Sequence, residues 1–328
     1  MLDLTETRAL QTTQETAIFE SLAAHAEAAR DAYAKATEAA FRADTRLFAE
    51  WCAAAGLVSL PATGATLAAF IDAMALVKKP ASIRRYCSSI SRMHIAAKLS
   101  NPMQTDEARL GLRRMGRTHP AGRAQRQAAP LNRARLEKLL AVVGQGPRAL
   151  RNAALLSVAY DSLARQSELA ALRVEDLTIA SDDSGTITIR RSKTDAEGVG
   201  SARYLGPDTV RAVLAWLAAA GSPASGPLFV SVLRGEKVTS TALRGADIAR
   251  LWKELGGRAG LSAEEVAAIS GHSTRVGAAQ DQVAAGIGLA EIMVSGGWKT
   301  PEMVARYSRN LEARRSGSAK LAILQNRA

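Results

Sequence analysis

The sequence predicts a mainly α chain of two domains. The first is wholly helical; the second is α+β and holds a small antiparallel sheet. Three observations point there. Alanine is abundant and aromatic residues make up only 4% of the chain, a composition that favours helices over sheets. Apolar residues recur at helical spacing through most of the first 115 residues. A clear alternation of apolar and polar residues replaces that period at Thr186–Arg190. At 328 residues, 47% of them hydrophobic, the chain is long enough for two domains, each with a real core.

The N-terminal elements follow in order. Residues 16–55 predict two helices, the first ending near Ala29, with Gly56 stopping the second. Thr63–Val77 predicts a third, with Leu67, Phe70, Ile71 and Met74 on one face. Pro80 opens a fourth as a first-turn proline. Its apolar stripe is Ile83, Cys87, Ile90 and His94, with Arg84, Arg85, Ser88 and Arg92 on other faces. A fifth runs from Thr105 to Met115, completing a domain over residues 1–118. Residues 119–130 hold two prolines, a glycine and basic residues without apolar period. They read as an interdomain linker, either laid along a phosphate backbone or simply solvated.

Residues 131–328 form the second expected domain. Asn132 caps a helix ending near Gly144, and Pro147 begins another towards Ser162. Thr186–Arg190 reads as a strand paired with Ala202–Leu205 across a turn containing Lys193, Gly198 and Gly200. Pro207–Ala220 is a helix, Leu228–Val230 a third short strand, and everything from Ser240 onward reads as helix.

Lys and Arg total 43 against 31 acids, giving a net charge of +12 and a pI near 10.1. Such a field speeds association with polyanions; on charge alone DNA, RNA and an anionic membrane surface all stay open. The sequence has no apolar run of bilayer length and no secretory pattern over Met1–Thr13. Cys52 and Cys87 fall in predicted helices without metal spacing and read as buried thiols of a reducing compartment. The four histidines are too dispersed for a structural zinc site.

Seven polar residues carry the chemistry. Arg165 precedes a helix, and its guanidinium can hold two phosphate oxygens at once. Glu168, three residues on, is either a support for that site or a helix cap. Lys193 sits at a hairpin tip, where most lysines are only solvated. His272 and Arg275 share a face at a predicted helix start, where an anion is favoured. Trp298 follows a double glycine and either donates to a phosphate oxygen or plugs the core. Tyr307 lies on a helix that Thr300 and Pro301 open. Alone it would read as a core tyrosine, yet a phenol is a good nucleophile when cations hold the phosphorus it attacks.

Taken together, Arg165, Glu168, Lys193, His272-x-x-Arg275, Trp298 and Tyr307 resemble the tyrosine recombinase (phage integrase) superfamily, most closely its Cre-like branch. Leu289–Trp298, Ser270–Ala279, Tyr307–Leu311 and the helical N-terminal part with Trp51-Cys52 carry the likeness across the whole chain. The resemblance implies an N-terminal core-binding (SAM-like) domain and a tyrosine-recombinase catalytic domain. It implies that Tyr307 attacks a DNA phosphorus, leaving a 3′-phosphotyrosyl bond. Arg165 and Arg275 would hold the non-bridging oxygens, and Lys193 would protonate the leaving 5′ oxygen. His272 would assist proton transfer, Trp298 would donate to the phosphate and Glu168 would support the site. No metal, ATP or other cofactor is required. The implied partner is double-stranded DNA with inverted-repeat sites, bound by a homotetramer on two sites and recombined via a Holliday junction. The tail 316–325 would dock into a neighbouring subunit. Arg84, Arg85 and Arg244 are candidate base readers, with phosphate contact or solvation as the plain alternative. The base-facing positions depart from that branch, so a different target is expected. No membrane association is expected; the expected setting is the cytoplasm, at a nucleoid or on phage or plasmid DNA. Two other readings explain part of the pattern. One is a type IB topoisomerase or telomere resolvase; the other is a non-catalytic regulator using Leu289–Tyr307 as helix-turn-helix.

Overall fold

The computed structural model describes residues 4–120, 127–190, 200–314 and 317–327. It divides into two compact units, Met1–Arg126 and Gln127–Ala328.

The first unit is helical throughout its described residues. Helices α1 (Leu4–Ala28) and α2 (Lys35–Ala54) fill the range predicted for two helices. In α3 (Gly64–Ala75) the Thr63 hydroxyl accepts the Thr66 N–H, a side-chain N-cap. Pro80 occupies the first turn of α4 (Pro80–Ala96), where its missing N–H leaves no helical bond unmade. Thr105 caps α5 (Asp106–Thr118). The predicted stripes form the core: Phe48, Leu67, Phe70, Ile83 and Ile90 are fully buried, and Phe48 meets Phe70 edge-on at 5.0 Å. His94 is buried as well. Its Nδ1 bonds the Ile90 carbonyl at 2.8 Å and its Nε2 accepts the Ala62 N–H at 2.9 Å. That pair fixes the neutral tautomer.

The second unit begins with residues bound to its own body. The Ala129 N–H donates to the Ala268 carbonyl and the Leu131 N–H to Ser273. Helix α6 (Arg133–Ala141) follows, capped by Asn132 as predicted. Next come α7 (Pro147–Asp161) and the short α8 (Gln166–Ala171). Strands β1 (Leu177–Ile179), β2 (Gly185–Ile189) and β3 (Ser201–Leu205) make one antiparallel sheet, with Thr186 opposite Tyr204 and Ile187 opposite Arg203. The predicted β2–β3 pairing is present; β1 was not foreseen. The expected turn carrying Lys193 lies outside the described residues. Helix α9 (Pro207–Ala219) spans the predicted range.

Two expectations need correction. The strand predicted at Leu228–Val230 is β4 (Val230–Val232). It pairs with β5 (Val238–Ala242) in a separate two-stranded sheet. Helix therefore does not begin at Ser240: Ser240–Ala242 complete β5, and α10 (Gly245–Arg258) starts beyond them. The pairing satisfies backbone groups that a helix would otherwise have used. Helices α11 (Ala263–Ala268), α12 (Ser273–Ala284), α13 (Leu289–Gly296), α14 (Pro301–Arg314) and α15 (Gly317–Leu324) complete the unit. A large core gathers Leu155, Ile187, Leu205, Trp216 and Trp252. A smaller cluster joins Leu163, Ala278, Ala279, Ile292, Trp298 and Val304, with Tyr160 and Tyr307 partly buried against it. At Gly277 of α12 an added Cβ would stand 2.1 Å from the Leu131 carbonyl, so the incoming chain rides directly on this helix. No helix among the described residues is long and apolar enough to cross a membrane.

Candidate active site

The smaller apolar cluster is the floor of the polar site. Two residues before Arg165, the fully buried Leu163 holds φ +50, a conformation that costs a bulky side chain energy. Its carbonyl receives the Arg275 Nη1–H. Arg165 stands at the N-cap of α8. Its backbone N–H donates to Glu168 Oε2 at 2.7 Å and its Nη1 to Oε1 at 2.6 Å. Glu168, itself buried, thus does both things the sequence suggested: it caps the helix and orients the guanidinium.

Arg275 comes from the first turn of α12 and is 2% exposed. Nη2 donates to the Gly296 carbonyl at 2.7 Å, and the guanidinium carbon lies 4.4 Å from the Trp298 ring centroid. Burial, with repulsion from Arg165, brings its pKa down to about 10, while Tyr307 and Glu168 oppose that fall. It stays cationic at neutral pH. His272 is the residue from which α12 starts. Its pKa is lowered by burial first, then by Arg275 and Arg165, with Glu168 pulling the other way. The imidazole is therefore neutral near pH 7 and free to accept a proton. The Arg165 turn meets the His272 turn directly, because Gln166 packs where a Gly271 side chain would be. A Cβ there would fall 1.7 Å from Gln166 Oε1.

Trp298 is 5% exposed, and its buried Nε1–H has no hydrogen-bond partner among the described residues. Its ring centroid lies 5.4 Å from that of Tyr307. The indole packs in the cluster, as the core-plug reading expected, and its donor is left unspent among the described residues. Tyr307, on α14, is half-buried, and its phenol acts on the charge of Arg275. Gln280 Nε2 at 3.0 Å and Gln127 Nε2 at 3.2 Å both donate to its backbone carbonyl.

The fold thus gathers Arg165, Glu168, His272, Arg275, Trp298 and Tyr307, which span more than 140 positions of the sequence. Of the three candidate base readers, Arg84 is exposed on α4. Arg85 is committed elsewhere: Nη2 and Nε reach Asp44 at 2.8 and 3.1 Å, and Asp44 is 1% exposed and also bonded by Ser89. Arg244 is the N-cap of α10, its side chain 81% exposed and 3.2 Å from Asp247. Sequence reasoning passed over Arg203. It stands on β3, half-buried, donates through Nη1 to the Val294 carbonyl, and is influenced by Glu168 and Arg165. A guanidinium on the inward side of a strand, between Leu205 and the chain of buried β2 residues, was the available signal.

Comparison with known proteins gives the family and the fold. The model of the Phage integrase family matches residues 130–314. The chain is 28% identical to "Recombinase cre" of Escherichia phage P1 over 265 residues, 77% of this chain and 76% of that protein. It is 30% identical to "Integrase/recombinase xerD homolog" of Selenomonas ruminantium over 278 residues, 82% of this chain and 80% of that one. Among solved structures, the Tn1549 transposon integrase in complex with transposon right end DNA matches with a TM-score of 0.61 at 12% identity. That match covers 91% of this chain and 98% of that one.

Proposed function

The chain belongs to the phage integrase family and is a tyrosine site-specific recombinase; from that premise we propose how its own residues cut and rejoin DNA. The phenol oxygen of Tyr307 attacks the scissile phosphorus. A Tyr307 O–P bond forms, the bond from phosphorus to the 5′ oxygen breaks, and a 3′-phosphotyrosyl linkage remains. His272, neutral at the start, takes the phenol proton. Arg165 and Arg275 stabilise the charge that develops on the non-bridging oxygens, with the Trp298 Nε1–H as a further donor. Lys193 protonates the departing 5′ oxygen. Attack by the 5′ hydroxyl of the partner strand reverses the step, so the energy of the broken linkage is conserved. Two rounds at paired inverted-repeat sites pass through a Holliday junction held by a homotetramer, to which the tail around α15 contributes. Arg84 and Arg244 serve as DNA contacts; Arg85 serves chiefly to neutralise Asp44. Residues 1–118 act as the core-binding domain and 131–328 as the catalytic domain.

The observation that carries this reading is the meeting of two guanidiniums, an imidazole and a phenol around one apolar floor with an unpaired indole donor. A regulator that only bound DNA would have no use for that set. The test is Tyr307→Phe on a nicked duplex that traps covalent product. Adducts should vanish while binding affinity stays within about threefold; an adduct surviving the change refutes the assignment. A relaxation assay with and without paired sites separates recombination from topoisomerase action.

A further inference from the structure

We propose that Arg203 is a positioning residue that locks the turn leading into the Tyr307 helix, and so sets the rate of DNA cleavage. The inference rests on the assignment of Tyr307 above. Arg203 lies on β3 opposite Ile187 and shares a strand face with the buried Leu205. From there its side chain crosses to the end of α13 and donates to the Val294 carbonyl. Two residues on, Arg275 donates to the Gly296 carbonyl. Two cations therefore grip the last carbonyls of one helix, where the helix dipole favours them. Immediately after that grip the chain turns through Gly297, at φ +59, into Trp298 and α14. A Cβ on Gly297 would stand 2.1 Å from Arg203 Nη2, so the guanidinium lies directly on the turn.

The far end of Arg203 also feels Arg165 and Glu168. Arg203 thus stands on β3, lies on the turn that leads to the nucleophile, and feels the charges of Arg165 and Glu168. The bond to Val294 leaves the turn a single seat. Without it, the turn keeps only Arg275 and its own backbone bonds, from the Gly297 N–H to the Val294 carbonyl and from the Trp298 N–H to the Met293 carbonyl, and a displacement of the order of 1 Å at a nucleophile can cost about a hundredfold in rate.

The experiment compares Arg203→Leu and Arg203→Lys with the unmodified protein, full length, on DNA at saturating protein. Single-turnover cleavage should fall by about 10–100-fold in Arg203→Leu, with DNA affinity within about threefold, and Arg203→Lys should recover only part of the rate. A substrate with sulfur in place of the bridging 5′ oxygen decides the route. Its thiolate leaves without protonation, so it relieves a defect at Lys193 but not one in placing Tyr307. The Arg203→Leu defect should persist on that substrate; full recovery would show that Arg203 acts on the hairpin, and would overturn the proposal. Unchanged cleavage by Arg203→Leu would overturn it too. A second measurement needs no activity: Gly297→Ala should lower the melting temperature less in an Arg203→Leu background than in the unmodified one. Strict additivity of the two changes would show that the contact is not made. If the unmodified protein forms no Tyr307-dependent adduct, the nucleophile assignment itself fails and takes this inference with it; an adduct with normal Arg203→Leu kinetics sinks the inference alone.

Discussion

Arg275 lies over the face of Trp298, its guanidinium carbon 4.4 Å from the ring centroid, while its two terminal nitrogens donate to the Leu163 and Gly296 carbonyls. This cation is held on three sides by the protein before any DNA is bound. Its remaining N–H groups have their direction fixed by the fold.

Arg275→Ala should therefore fail twice. It leaves two buried carbonyls without their donor and opens a cavity, at a cost of roughly 2–5 kcal/mol. On the proposed mechanism it also removes a transition-state cation, worth about 10²–10³-fold in rate. Arg275→Lys separates the two effects. An ammonium keeps the charge but cannot span both carbonyls, so the variant should fold and still cleave at least tenfold more slowly. Thermal melts beside single-turnover kinetics read both quantities, and near-normal cleavage by the lysine variant would contradict the bridging role.

Trp298→Phe removes a buried N–H that has no partner among the described residues. Deleting an unsatisfied donor relieves a desolvation cost, so folding stability should change by less than about 1 kcal/mol. On the proposed mechanism, in which that donor meets the phosphate in the complex, cleavage should nonetheless drop about tenfold. A stability loss with normal cleavage would mark the indole as packing alone.

Stability should decline on the acid side of about pH 6.5. His94 and His272 both have lowered pKa values, with burial as the first cause in each. The unfolded chain then takes up these protons at the ordinary histidine value of about 6.5, while the folded chain resists until lower pH. Folding is favoured fully above the unfolded value, loses ground as pH falls towards the folded values, and levels off beneath them. His94 supplies the mechanical reason in the first unit: a proton on Nε2 would confront the Ala62 N–H it now accepts. Melting temperatures between pH 5 and 8 measure this, and His94→Gln should flatten part of the slope. A curve flat through pH 6 would rule it out.

The two neighbouring arginines of α4 should behave differently. Arg85→Ala strands a buried Asp44 with Ser89 as its one remaining side-chain bond among the described residues, and should cost about 1–3 kcal/mol once the half-exposed position of the arginine is allowed for. Arg84→Ala, on the exposed face, should leave stability within about 0.5 kcal/mol and lower only DNA affinity and its salt slope. Denaturant titration of both variants, with binding isotherms at two salt concentrations, distinguishes them.

The helices were legible because their ends are written locally: Thr63, Thr105 and Asn132 as caps, and Pro80, Pro147, Pro207 and Pro301 in first turns. That Arg165, Glu168, His272, Arg275, Trp298 and Tyr307 belong together was legible only through their order and spacing, since no local pattern marks residues this far apart as neighbours. β1 and β5 were not: β1 has only three residues, too few to display a period, and Val238–Ala242 of β5 carries three Ser and Thr residues without a clear apolar alternation. The commitment of Arg85 to Asp44, 41 positions away, has no local mark either. Arg203 looked like an ordinary strand residue until the fold brought Val294 to it, 91 positions on.

The backbone of Leu131 seated on Gly277 decides where the second unit can be cut free. Leu131 is fully buried, worth about 2 kcal/mol, and Ala129 and Leu131 close two backbone bonds onto the segments on either side of His272. An excised catalytic fragment opening at Arg133 would expose that seat and unfasten the strap beside its own histidine. One opening at Gln127 would carry the strap with it, and would keep the amide that bonds the Tyr307 carbonyl.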